Sequence, residues 1–148
     1  FKWRKKVSSL YQVKELVRIF IYSKKFKRLC IELKKIKKPF ILFAFQNEPE
    51  FAAPWEACKY NATDEASFIS DHLGPVIKGD HPDIKILAFD HNKDHLMHWT
   101  STIMNSKAGE YVDGMAFHWY TGSMDRLLDG TSGYDTLNST HHAFPDKE

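Results

Sequence analysis

The sequence has little cysteine, no long apolar run and none of the common motifs of nucleotide-binding or serine-hydrolase sites. Its 148 residues include two cysteines, Cys30 and Cys58, whose spacing does not show whether they form a disulfide. No stretch of about 18 apolar residues in the sequence could span a bilayer, and no charged, apolar, small-residue pattern within these residues marks a secretory signal. A glycine-rich phosphate loop and a Gly-x-Ser-x-Gly elbow are also missing, which argues against phosphate-loop and serine-nucleophile chemistry in these residues.

The net charge of +2 hides a strong asymmetry. Residues 1–38 carry 14 of the 21 Lys and Arg residues and two Glu residues, so this segment has a charge of +12 and the remaining 110 residues have −10. Apolar residues recur at helical spacing from Leu10 to Ile36, which predicts one or two basic amphipathic helices. We favour a domain helix with a solvated lysine face over a segment that adsorbs to an anionic membrane or nucleic acid. Because the charge changes sign between the two parts, we separate a basic helical segment, 1–38, from a domain over 39–148.

The most informative stretch is an apolar run, Phe40 to Phe45, that stops at Gln46-Asn47-Glu48-Pro49. Such a run is typical of a strand buried on both faces in a parallel sheet, and the proline predicts that the strand ends at Glu48. Enzymes with parallel barrels keep their catalytic groups at the carboxyl ends of the strands. The sequence therefore predicts a catalytic acid at Glu48.

Two further apolar runs are followed by polar or aromatic groups. Ile84 to Ala88 precedes Asp90-His91-Asn92-Lys93-Asp94-His95, and Val112 to Ala116 precedes His118-Trp119-Tyr120, where we expect Trp119 to pack. A helix with Thr63 as its N-cap and a kink or end at Gly74-Pro75 is predicted between the first two strands, and a second helix over 96–106. Alternating strands and helices indicate an α/β fold with a parallel sheet.

These motifs resemble those of glycoside hydrolase family 30, the glucosylceramidase family. The similarity is collinear from Pro39 to Glu148 and includes Gln-Asn-Glu-Pro, Pro54-Trp55-Glu56-Ala57-Cys58, Leu73-Gly74-Pro75 and His-Trp-Tyr. It implies a partial (β/α)8 TIM barrel, about strands four to six with their helices. A closed barrel needs roughly 250 residues, so we expect the chain to be a fragment of a longer protein.

The resemblance also implies roles for individual residues. Glu48 corresponds to the general acid/base of a retaining glycosidase, and the substrate-binding positions correspond to Asn47, Trp55, Asp90, His118 and Tyr120. Asp90 could alternatively cap the following helix, and Trp55 could anchor its loop. The family nucleophile follows a later strand, beyond Glu148, so we expect these 148 residues alone to be inactive.

The implied substrate is glucosylceramide, with β-1,6-glucan or xylan as the alternative within the family. An activator protein or an anionic membrane surface is a further implied partner. The implied location is lysosomal or secreted. The N-glycosylation sequons at Asn61 and Asn138 agree with passage through the secretory pathway. We expect no cofactor, no nucleic-acid partner and no metal, although His91, His95 and His98 have zinc-like spacing. A non-catalytic product of a mispredicted gene, or a basic binding module around residues 1–38, is the alternative outside the enzyme class.

Overall fold

The computed structural model describes residues 42–44, 46–51, 54, 58–119, 121 and 133–147. The basic segment 1–38 lies outside them. Strands and helices alternate along the described chain, and one π-helical segment and two 3-10 turns lie among them. The elements are β1 (Leu42–Ala44), α1 (Ala62–Phe68), the π segment (Ile69–Leu73), α2 (Gly74–Asp80), β2 (Lys85–Asn92), a turn (Lys93–His95), α3 (Leu96–Met104), a turn (Lys107–Glu110), β3 (Gly114–His118) and α4 (Tyr134–Ala143).

The three described strands form one parallel sheet in the order β1-β2-β3. This order follows the chain, because each helical connection returns the next strand to the neighbouring position in the same direction. The α/β pattern predicted from the sequence is therefore confirmed. The prediction that the first strand runs to Glu48 is wrong: β1 ends at Ala44, and the left-handed backbone of Glu48, with φ of 50°, is incompatible with an extended strand.

The hydrophobic core lies between the sheet and the helices. Ile86 and Ala88 of β2 point into it, and Phe89 packs against Trp99 of α3 with ring centroids 5.2 Å apart. The rest of the core comes from apolar positions spaced along the helices, including Phe68, Ile69, Leu73, Ile77 and Ile103. Phe68, Ile69, Leu73 and Ile77 recur at the spacing that is typical of the buried face of a helix.

The first described helix begins at Ala62 and is capped by Asn61. The side-chain oxygen of Asn61 accepts a hydrogen bond from the Asp64 N–H at 2.8 Å, in the third position of the helix. The prediction of Thr63 as the N-cap is therefore wrong. Thr63 already lies inside the first turn, whereas an oxygen two residues earlier reaches a free backbone donor.

The helical segment between β1 and β2 changes its winding before Gly74-Pro75. Residues Ile69–Leu73 are π-helical, and α2 follows directly at Gly74 with Pro75 as its second residue, so the helix changes its winding at the predicted kink and does not end there. A side chain at Gly74 would meet the ring of Tyr111, with a Cβ 2.3 Å from the ring's Cγ. Glycine is therefore required for this close approach.

At the amino end of the sheet, Lys78 and Asp113 tie α2 to two strands. Lys78 Nζ contacts Asp113 Oδ2 at 2.6 Å and donates to the Ile84 carbonyl at 2.9 Å. The same Asp113 oxygen accepts the Ile86 N–H at 2.7 Å. This network lies at the end of the sheet opposite to Glu48, where parallel barrels concentrate stabilising contacts.

Candidate active site

A β-bulge near the end of β2 places Asp90. Phe89 pairs with Ala116 and His91 pairs with Phe117, so Asp90 is an extra residue with no partner position on β3. Phe89 and Asp90 have φ of 76° and 51°, in the left-handed region that bulky residues rarely adopt. Bulges of this kind re-aim a side chain next to active sites.

Asp90 therefore lies inside β2 rather than at its end. The strand continues to Asn92, and the N-cap of α3 is His95, so Asp90 does not cap that helix. The bulge flips the alternation of the strand: Phe89 joins the core, while Asp90 is left partly exposed at the carboxyl edge of the sheet. The sequence has no glycine here to signal a left-handed residue.

Glu48, Asp90 and His118 form one cluster at this edge, which we call the Glu48 cluster. His118 Nδ1 lies 3.3 Å from Glu48 Oε1, and His118 Nε2 lies 3.4 Å from Asp90 Oδ1. The Glu48 N–H also donates to the Asp90 carbonyl at 3.0 Å. Each of the three neighbouring strands or its following loop thus contributes one member.

The geometry of the Glu48 cluster holds a carboxyl group in a defined place without burying it. All three side chains are about one-fifth to one-quarter exposed, and the imidazole lies between the two carboxyl groups. A carboxyl group held this way at a pocket wall can donate a proton to a bound ligand and take it back. The cluster is suited to acid/base chemistry.

A second set of contacts anchors the loop that carries Glu48. Glu50 Oε2 lies 2.6 Å from His95 Nδ1 and 3.6 Å from His91 Nε2, and Glu50 Oε1 accepts a hydrogen bond from Trp99 Nε1 at 2.9 Å. Glu50 thereby joins the loop after β1 to β2 and α3. We call this set the Glu50 network.

The charges in the Glu50 network are set by these contacts. Burial raises the pKa of Glu50, but hydrogen bonds from Trp99 and His95 outweigh burial, so its pKa lies below the ordinary 4.5. The hydrogen bond to Glu50 raises the pKa of His95 above its ordinary value of 6.5. Burial lowers the pKa of His91, against the attraction of Glu50. Glu50 is therefore an anion that favours the cationic form of His95.

A pocket of about 390 Å³ opens beside Glu48. This volume is within the range of small-molecule sites. Its wall combines ionisable groups from both sets with one aromatic side chain: Glu48, Glu50, Phe51, His91, Asn92, Asp94 and His95. Phe51 is about half exposed, so an apolar surface faces a polar wall.

The remaining predicted residues are distributed unevenly. Asn47 is exposed next to Glu48, whereas Trp55 and Tyr120 lie outside the described residues. The expectation that Trp119 packs is wrong: its side chain is 69% exposed, because β3 ends one residue earlier and the alternation of the strand stops there. Cys58 is a partly buried free thiol, and Cys30 lies outside the described residues.

A different set of potential metal ligands from the one in the sequence pattern comes together. Among the described residues, ligand atoms of Glu48, His91 and His118 lie within 4.8 Å of one another. His95 instead contacts Glu50, and His98 is exposed on α3. The tertiary structure thus groups one carboxylate with two imidazoles that come from three different strands or their following loops.

Glu65 is a buried carboxyl group that the sequence pattern does not reveal. Its position in the first turn of α1 predicts a solvated residue near the positive end of the helix dipole. Instead it is fully buried, and its Oε1 accepts the Phe89 N–H at 2.9 Å. Burial raises the pKa of Glu65 to about 7, and the nearby Asp90 charge adds to the increase.

Comparison with known proteins identifies similar sequences. A family model described as the glycosyl hydrolase family 30 TIM-barrel domain matches residues 17–147. The chain is 31% identical over 105 residues to the lysosomal acid glucosylceramidase of Mus musculus, covering 68% of this chain and 19% of that protein. It is 35% identical over 104 residues to an endo-1,6-beta-D-glucanase of Neurospora crassa, covering 70% and 20%. The chain spans about a fifth of the length of these curated relatives.

Solved structures share the fold. SrfJ from Salmonella typhimurium matches with a TM-score of 0.65 and 25% identity, covering 83% of this chain and 26% of SrfJ. The endo-beta1,6-glucanase BT3312 matches with a TM-score of 0.61 and 26% identity, covering 86% and 27%. The predicted partial TIM barrel is confirmed by these matches together with the family model. None of the helices in the described part of the chain is long and apolar enough to cross a membrane.

Proposed function

Because the chain belongs to glycosyl hydrolase family 30, we propose that it supplies the general acid/base of a retaining β-glycosidase, with Glu48 in that role. The contact of Glu48 with His118 beside an open pocket at the carboxyl edge of the sheet carries this proposal. Glu48 protonates the departing glycosidic oxygen in the first step. As a carboxylate, it then removes a proton from the water that releases the sugar.

The neighbouring residues hold the sugar and the acid. Asn47 binds the 2-hydroxyl group, and Asp90 and His118 orient the Glu48 carboxyl and contact the ring hydroxyls. Trp55 and Tyr120 complete the sugar-binding wall in this proposal. The support is the proximity of Asp90 and His118 to Glu48 and the exposure of Asn47 beside it.

The mechanism needs a second carboxylate, which attacks the anomeric carbon. In retaining enzymes this carboxyl group lies about 5 to 5.5 Å from that of the acid. We assign it to a later strand of the full-length protein. Asp90 is unsuited to this role because His118 lies between its carboxyl group and that of Glu48. These 148 residues alone are therefore expected to show no turnover.

The substrate that we propose first is glucosylceramide, hydrolysed in a lysosomal or secreted setting with an activator protein or an anionic membrane surface as partner. The similarity to the glucosylceramidase of Mus musculus supports it. The second candidate is β-1,6-glucan, supported by the similarity to the endo-1,6-beta-D-glucanase and to BT3312. Initial rates of the full-length protein on both substrates decide between them, since a tenfold preference for the glucan overturns the first assignment.

The acid role is tested with Glu48→Gln in the full-length protein. We expect kcat/KM on glucosylceramide to fall by about 10² to 10⁴-fold, with a much smaller loss of kcat/KM on an aryl β-glucoside whose leaving group needs no proton in the first step. Asp83→Asn, an exposed change in the turn before β2, is the matched control and should leave both rates unchanged. Equal losses of Glu48→Gln on both substrates contradict the acid role.

A further inference from the structure

Glu65 is an unusual group for the core of this fold. Its side chain is fully buried on α1, Oε1 accepts the Phe89 N–H at 2.9 Å, and Oε2 has no hydrogen-bond partner among the described residues. A well-packed apolar side chain commonly serves a core better than a buried carboxyl group with one oxygen unpaired. Its hydrogen bond to the backbone is the feature that an apolar residue lacks.

That hydrogen bond reaches the start of the bulge in β2. Phe89 is the first of two residues with left-handed backbone, and a bulky residue persists there only when its surroundings hold it. The ring of Phe89 packs against Trp99 on one side, and its N–H is held by Glu65 on the other. The two contacts together fix the side chain of Phe89 and the peptide plane that carries its N–H.

The next residue along the strand makes the contacts that place the acid. The Asp90 carbonyl accepts the Glu48 N–H at 3.0 Å, and Asp90 Oδ1 lies 3.4 Å from His118 Nε2. The Phe89 N–H lies at the φ torsion of Phe89, and a change in this torsion re-orients the chain that follows, so both of these Asp90 groups move with it. Glu65 thus binds the residue directly before Asp90, which makes two contacts of the Glu48 cluster, although Glu65 itself does not line the pocket.

We propose that Glu65 is a positioning residue for Glu48, which acts by holding the Phe89 N–H and with it the bulge that presents Asp90. This inference rests on the proposed acid/base function of Glu48. The functional group required at position 65 is a hydrogen-bond acceptor. A glutamine therefore keeps the role and a methionine of similar length loses it. A carboxyl group can accept this hydrogen bond through an oxygen in either protonation state, so the contact does not depend on the raised pKa of Glu65.

The first test measures the bulge without using activity. Amide hydrogen exchange at Phe89 is followed in the full-length protein, in Glu65→Met and in Glu65→Gln. We expect exchange at Phe89 to be about tenfold faster or more in Glu65→Met and close to wild type in Glu65→Gln. Ile77→Val, which removes one buried methylene group from α2, is the control for a general loss of stability. Equal acceleration in Glu65→Met and Ile77→Val overturns the proposal.

A second measurement needs only variants that keep the acceptor. The Phe89 amide proton resonance should move with the ionisation of Glu65 in the wild type and should lose that titration in Glu65→Gln. This covers the case in which Glu65→Met does not fold. A Phe89 resonance that is independent of pH in the wild type, or that titrates equally in Glu65→Gln, overturns the hydrogen bond on which the inference depends.

The third test separates positioning from folding. Glu65→Met should lower kcat/KM about tenfold more on a β-glucoside with a poor leaving group than on one with a good leaving group, because kcat/KM reports the first step and only the poor leaving group needs a proton from Glu48 there. Glu65→Gln should restore the wild-type ratio, and Ile77→Val should never change it. An unchanged ratio in Glu65→Met overturns the positioning role. A wild-type protein with no hydrolysis refutes the proposed function. The exchange and resonance measurements still show in that case whether Glu65 holds the Phe89 N–H.

Discussion

The buried carboxyl group of Glu65 should make the stability of the protein fall as pH rises. Burial raises its pKa from the ordinary 4.5 to about 7, so the folded state binds the Glu65 proton more tightly than the unfolded state does. For a group shifted in this direction, the stabilisation is fully present below pH 4.5 and is lost as pH rises through 7. The protonated form is thus the one that suits the core.

The size of the effect follows from the two pKa values. At about 1.4 kcal/mol per pH unit, linkage predicts that Glu65 ionisation lowers the free energy of unfolding by about 2.5 kcal/mol between pH 5 and pH 8. Glu65→Gln removes this ionisation and leaves every other titrating group in place. The difference in unfolding free energy between wild type and Glu65→Gln should therefore change by about 2.5 kcal/mol over that range.

The assay is urea unfolding of the full-length wild type and Glu65→Gln at pH 5, 6, 7 and 8, followed by tryptophan fluorescence. The test uses only how the difference in unfolding free energy between the two proteins changes with pH. The size of that difference at one pH is not used, because a buried glutamine amide adds a constant penalty of its own. Ser67→Ala, an exposed change on the same helix, is the control and should run parallel to the wild type. Wild-type and Glu65→Gln curves that stay parallel from pH 5 to pH 8 refute a buried Glu65 with a raised pKa.

Three smaller predictions concern other contacts. Asp113→Ala should lower the free energy of unfolding by about 1 to 3 kcal/mol, measured by urea titration, because it leaves the Ile86 N–H without its acceptor. Asn61→Ala should cost about 1 kcal/mol through the lost helix cap, whereas Thr63→Ala, which removes the same sequon, should cost less; a larger loss in the latter contradicts the cap. Glu50→Gln should lower the pKa of His95 in an NMR titration, since the hydrogen bond to Glu50 is the main cause of its increase; an unchanged pKa contradicts that pairing.

Much of the candidate site could be placed from the sequence, since local signals coincide there. The apolar runs before Glu48 and His118 mark strands, and the parallel α/β pattern requires their carboxyl ends to meet at one edge. The structure brings Glu48, Asp90 and His118 together at that edge. Their catalytic and binding roles remain the proposal that Glu48→Gln tests.

The Glu50 network was not predicted, because nothing local distinguishes its members. Glu50 follows a proline in a loop, and its partners lie 41 to 49 residues further along the chain. Spacing along the sequence grouped His91 with His95 and His98 as a potential metal set. The tertiary structure separates them, because a carboxylate from another βα unit binds two of them and leaves the third on a helix surface.

By itself the sequence determined the order of strands and helices, the apolar faces of the helices and the position of Glu48 after the first strand, because these depend on periodicity and on single breaking residues. Only the tertiary structure decided the cap at Asn61, the bulge at Asp90 and the burial of Glu65. A cap depends on which backbone N–H an oxygen reaches, and a bulge depends on the register between two strands. The burial of a carboxyl group depends on what another element places against it, and the Phe89 N–H that Glu65 meets comes from 24 residues away.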